Sequence, residues 1–135
     1  MISLDTNVMI RFIVRDEPSQ YRLACELIQR AKESQQRAIV MLLVVLECEW
    51  VLRSAYRYSK SEIITTFSAL RAAGEVQIER EAVLVEALEI WAQGKAHFAN
   101  CLILASSRAL GCTAMMTFDR QAGKLPGATL LRRSI

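Results

Sequence analysis

The sequence predicts an α/β fold with a mainly parallel central sheet and helices on both of its faces. Three observations predict it. Short apolar strands alternate with amphipathic helical segments, the pattern of right-handed strand–helix–strand crossovers. Hydrophobic residues make up 53% of the 135 positions and mean hydropathy is +0.21, as expected when strands are apolar throughout because both faces are covered. Two strands also run into an aspartate: Asp5 after Ile2-Ser3-Leu4, and Asp119 after Met115-Met116-Thr117-Phe118. The carboxyl ends of strands are where open α/β sheets bind ligands.

The first strand covers residues 1–4, and a short helix follows. Asp16-Glu17-Pro18-Ser19 makes a turn and starts a helix, since Pro18 cannot sit inside one. Ala24, Leu27, Ile28 and Ala31 then recur at helical spacing. Residues 38–40 read as a second strand, and a helix from about 43 to 55 carries Glu47 in its first turns. Ile63, Phe67 and Leu70 mark a helix that stops at Gly74, a C-cap. Residues 75–78 form a third strand. Val83, Ala87, Leu88 and Trp91 mark a helix ending near Gly94, and the apolar segment 98–110 is a helix closed by Gly111. Residues 114–118 are a fourth strand and 129–131 a terminal edge strand. With no repeat, linker or low-complexity tract, residues 1–135 are expected to form one domain.

The net charge of +3 and pI near 8.8 allow contact with a phosphate backbone without requiring it. The four cysteines form no CxxC pair and have no histidine at zinc spacing, which suits reduced thiols in a cytoplasmic protein. Asp5 interrupts the amino terminus before a signal-peptide core can form. The longest apolar run, 38–46, is far short of the roughly 20 residues that span a bilayer. A soluble protein with no membrane partner is expected.

Asp5, Glu47 and Asp119 each interrupt apolar surroundings, where an ionised carboxylate needs a donor, a cation or a raised pKa. Any one of them fits a helix N-cap or a partner for arginine. Taken together they fit a shared divalent cation, and an all-oxygen set suits Mg²⁺ or Mn²⁺, whereas zinc would want His or Cys. Asn100 is the lone polar group in Phe98-Ala99-Asn100-Cys101-Leu102-Ile103-Leu104, either as a further ligand or as a helix N-terminal cap. His97, three residues earlier, lies on the same helical face or is an exposed residue at the helix start. Arg11, Arg15, Arg53, Arg57, Lys60 and Arg120 follow the acidic junctions, as phosphate contacts or as solvated faces. Arg11, one turn beyond Asn7, is the best phosphate candidate, with Arg120 beside Asp119. Trp50, Tyr56 and Tyr58 are candidates for a partner groove, and core packing explains Trp50 at least as well.

With these residues in view, the chain resembles the PIN-domain family and, within it, the VapC-like toxins of bacterial toxin–antitoxin pairs. The resemblance spans essentially the whole chain. It rests on Leu4-Asp5-Thr6-Asn7, Val45-Leu46-Glu47 with Trp50-Val51-Leu52, Phe98-Ala99-Asn100-Cys101-Leu102-Ile103, and Thr117-Phe118-Asp119-Arg120. It implies a three-layer α/β/α sandwich and an Mg²⁺- or Mn²⁺-dependent endoribonuclease. It also implies Asp5, Glu47 and Asp119 as metal ligands, with Thr6, Asn7 and Thr117 as their hydrogen-bonding partners. The partners it implies are an RNA substrate, a cognate antitoxin and a second copy in a homodimer.

One departure matters. The family pattern has aspartate where this chain has Asn100, and an often acidic position is held by His97. Asparagine keeps the shape and a carbonyl oxygen but loses the charge, which weakens metal binding and slows hydrolysis. Two origins fit: a native, weakened or specialised enzyme, or a disarming substitution. A competing reading is a catalytically silent module of the same fold that binds RNA or antitoxin without cleaving. A phosphatase of the haloacid dehalogenase type would need a second Asp where Asn7 stands. The substitution Asn100→Asp is expected to raise Mg²⁺-dependent RNA cleavage well above that of the parent chain. Equal rates on the same RNA would remove Asn100 from the site.

Overall fold

The computed structural model describes residues 1–133. Their contacts cluster into two compact units, one of residues 1–81 and one that begins at Ala82.

The first unit runs β1 (Ile2–Ser3), α1 (Thr6–Val14), α2 (Pro18–Glu33), β2 (Ala38–Val40), α3 (Leu42–Ser54), α4 (Lys60–Ala73) and β3 (Gln77–Ile78). Its sheet has the order β1–β2–β3. Both pairs are parallel, Ile2 opposite Ala38 and Ile39 opposite Gln77. Helices fill each connection, as parallel pairing requires. Helix α1 packs on α2 and α3, α3 on α4, and α2 on β2. Leu4, Met9, Val40, Leu52, Ile63 and Phe67 are fully buried beneath them.

Local chemistry sets the helix ends. Glu17 caps α2 through the Gln20 N–H, and Pro18 occupies its first turn, where a missing N–H costs nothing. Ser59 and Glu62 form a reciprocal capping box at the start of α4. Gly74 ends α4 at φ 69°, a left-handed position that glycine adopts without strain. Phe12 stacks on Tyr21 at 6.2 Å between ring centroids, and the Arg15 guanidinium lies over the Tyr21 ring, 4.9 Å from its centroid.

The second unit carries all but the first residue of α5 (Glu81–Gln93), then α6 (Phe98–Leu110), β4 (Met115–Thr117), a 3₁₀ turn (Ala122–Lys124) and β5 (Ala128–Leu130). Strands β4 and β5 pair in parallel, Met115 opposite Ala128. Helix α6 buries Phe98, Cys101, Leu102 and Ala105, the i, i+3, i+4, i+7 stripe of a core-facing helix. Trp91 of α5 meets Phe98 at 5.0 Å between ring centroids.

The α/β class and the parallel pairing agree with expectation. Among the described residues the strands divide into a three-stranded and a two-stranded sheet; β2 has its expected bounds, β5 is shifted by one residue, and β1, β3 and β4 are shorter than expected. Pairing stops where the chain turns into the next helix. The Leu4 N–H still reaches Ile39 O at 2.9 Å, but Asp5 already begins α1. Trp50 lies 58% exposed on α3, outside the core. Cys48 and Cys101 are buried and Cys25 is partly so, whereas Cys112 is exposed; none forms a disulfide.

Leu52 is wholly enclosed, so Leu52→Ala is expected to destabilise the fold by about 2–5 kcal/mol. Urea unfolding followed by circular dichroism would show this as a lower midpoint at unchanged slope.

Candidate functional site

Two carboxylates mark the carboxyl side of the first sheet. Asp5 follows β1 and caps α1, its Oδ1 accepting the Val8 N–H at 3.0 Å. Glu47 projects from α3, and its Oε1 accepts a short hydrogen bond from the Thr6 hydroxyl. Thr6 thus joins the first turn of α1 to α3 and holds one oxygen of Glu47. Both carboxylates are exposed, while Leu4, Val45 and Cys48 next to them in sequence are buried. The Cys48 thiol reports on both groups. Its pKa is pushed up to about 12, first by burial, then by the negative charge of Glu47 and that of Asp5.

A third carboxylate, Glu79, positions this arrangement. It follows β3, and its Oε1 accepts the Leu42 N–H at 2.9 Å. Helix α3 has no cap from its own N-cap residue, Met41, so Glu79 supplies one from the neighbouring strand. Its charge complements the helix dipole at that end. The signal in sequence was an acidic residue directly after an apolar strand, as at Asp5. Glu49 escaped notice as well. It is the one buried charged side chain among the described residues, and Arg53, four residues on, holds it at 2.7 Å.

Within the second unit, His97 occupies the N-cap of α6, yet its side chain makes no capping bond and is exposed. Asn100 is the third residue of that helix, half-buried between Phe98 and Cys101, and its N–H donates to His97 O at 3.1 Å. It is therefore not the cap. The Asp119 N–H donates to the Thr117 hydroxyl at 3.0 Å, and Asp119 Oδ1 accepts the Ala122 N–H at 2.8 Å. Asp119 thereby caps the 3₁₀ turn, with Phe118 and Arg120 exposed on either side.

The arginine favoured for phosphate is engaged within the fold. Arg11 donates to Gln20 at 2.7 Å and to Asp16 and the Tyr56 hydroxyl at 3.1 Å each. The Tyr56 hydroxyl also donates to Asp16 at 2.8 Å, which together with Arg11 holds the Asp16 pKa below the usual carboxylate range. Arg11, Asp5 and Asn7 border a cavity of about 320 Å³ with an apolar wall of Val8, Leu23 and Leu27.

The donors around Asp5 and Glu47 are carboxylate and hydroxyl oxygens. That chemistry fits a hard divalent cation such as Mg²⁺ or Mn²⁺. Among the described residues, no three His, Cys, Asp or Glu side chains stand at metal-holding spacing.

A family model described as PIN domain matches residues 2–128, nearly the whole chain. No curated protein matches the chain.

The raised thiol makes the fold sensitive to alkali. Unfolded, Cys48 releases its proton near the ordinary value of 9.0; folded, it keeps it to about 12. Its contribution to stability is complete below the lower value and is lost as pH rises between the two. Cys48→Ala is therefore expected to flatten the decline of the urea midpoint between those pH values, and parallel profiles for both proteins would contradict the assignment.

Proposed function

The chain belongs to the PIN domain family, whose members are generally nucleases, and on that premise we propose that it is a divalent-metal-dependent endoribonuclease. The observation that carries this reading is the pair of exposed carboxylates, Asp5 and Glu47, tied together through Thr6. In this reading Asp5, Glu47 and Asp119 are metal ligands, and Asn100 offers a carbonyl oxygen as a fourth. Mg²⁺ or Mn²⁺, when bound, would lower the pKa of a water and offset charge on the scissile phosphate. The chain's own groups do the positioning. The Val8 N–H and the Thr6 hydroxyl each fix one carboxylate oxygen, leaving the second of each pair to face a cation. Thr117 steadies the loop that carries Asp119. Arg120, exposed beside Asp119, is free to meet phosphate, whereas Arg11 must first leave Asp16.

The resemblance to VapC-like toxins extends the proposal to a cytoplasmic toxin neutralised by an antitoxin. The cavity bordered by Asp5, with its apolar wall of Leu23 and Leu27, has the chemistry to take an apolar antitoxin segment that ends in a cation. Leu43 and Trp50, seven residues apart and both exposed on α3, offer apolar surface to a second copy in a homodimer. Among the described residues, no helix is long and apolar enough to cross a membrane.

Asn100 favours one rival reading, a silent module that binds RNA or antitoxin without turnover. A cleavage assay separates the two. The parent chain with Mn²⁺ is expected to cut single-stranded RNA, EDTA to abolish cutting, and Asp5→Asn to slow it by roughly 10²-fold or more. RNA binding with no cleavage at any Mg²⁺ or Mn²⁺ concentration would favour the silent module.

A further inference from the structure

The proposed hydrolysis leaves unused a cationic cleft in the second unit. It has a volume of about 440 Å³ and lies between the carboxyl end of α5, the loop that follows and the 3₁₀ turn. Lys95, Arg108 and Lys124 supply its cations, and Gln93 and Gln121 its amides. Leu125 is buried in its floor and Ile90 half-buried. No carboxylate lines it among the described residues. Arg108 is held in place by Glu86 at 3.2 Å and by Pro126 O at 3.4 Å, which neutralises much of its charge. The two lysines have no ion-pair partner among the described residues, so the available charge is theirs.

We propose that this cleft is a second RNA-binding site, one that grips single-stranded RNA by its phosphates. Two cations around a partly apolar floor match the alternation of phosphate and base along a single strand, and side-chain amides match base edges. An acidic peptide would use the cations but leave the floor and amides idle. Chain continuity adds a further argument. Gln121 and Lys124 belong to the segment that Asp119 caps, so RNA held here lies beside a proposed ligand of the hydrolytic site. The proposal rests on the RNA-cleaving reading of the protein.

The test measures binding without turnover. A fluorescent oligouridylate of about a dozen nucleotides is titrated in EDTA at several salt concentrations, with unlabelled polyglutamate as competitor. The double variant Lys95→Ala/Lys124→Ala is expected to bind roughly tenfold more weakly at about 0.1 M salt, with a log–log salt slope shallower by about 1.4. Lys32→Ala, which removes an exposed charge on α2, is expected to leave both quantities unchanged. Parental affinity and slope in the double variant would overturn the proposal. So would an equal loss in Lys32→Ala, or polyglutamate competing as well as unlabelled RNA. Cleavage assays on the same proteins separate the two readings. Loss of binding in the double variant from a parent that never cleaves sinks the nuclease reading alone, and a cleaving parent whose double variant binds normally sinks this site alone.

Discussion

The hydrogen bond from Thr6 to Glu47 is the contact on which the rest of the first unit's chemistry depends. It spans two helices whose starting points are set by different strands: α1 begins as β1 ends, and α3 begins as β2 ends. A hydroxyl donor next to Asp5 in the chain thereby fixes one oxygen of Glu47 on another helix. It occupies Oε1 of Glu47, as the Val8 N–H occupies Oδ1 of Asp5. Carboxylates so constrained are pre-organised, and a ligand that meets them does not have to order them first.

Holding two negative groups close together carries an electrostatic cost, and the fold offsets it locally. The start of α1 presents its N–H groups to Asp5, where the helix dipole favours negative charge. The start of α3 likewise presents the Leu42 N–H to a further carboxylate, Glu79. The like charges are still felt at Cys48, whose thiol is buried within reach of their field. Both helix starts lie at the carboxyl end of the parallel sheet, so the topology that places the carboxylates also supplies the dipoles that tolerate them.

Much of the architecture was legible in the sequence because it is written in local chemistry. Pro18 starts α2, Gly74 and Gly111 end α4 and α6, and the stripe of Phe98, Cys101, Leu102 and Ala105 gives α6 its buried face. The caps at Asp5 and Asp119 were legible too, since an aspartate after an apolar strand is a common helix start. Contacts that depend on distant partners were not. Nothing near Thr6 shows that its hydroxyl meets a residue on α3, although the resemblance to a known family had placed it beside the ligands. The roles of Glu79 and Glu49 were not legible because their partners, Leu42 and Arg53, become neighbours only in three dimensions or on a helical turn. Arg11 looked available to phosphate because Tyr56, which binds it, lies on the far side of α3 in sequence.

The parallel pairing in the first unit also governs how the chain comes together during synthesis. Ile2 finds its partner only at Ala38, and Ile39 only at Gln77, so no ladder bond can form between chain neighbours. A ribosome must therefore release β3 before the sheet is complete, and loop closure over such separations slows the search. By contrast, Met115 and Ala128 are separated by one short turn-bearing segment, and the last-made strand pair can close as soon as it emerges.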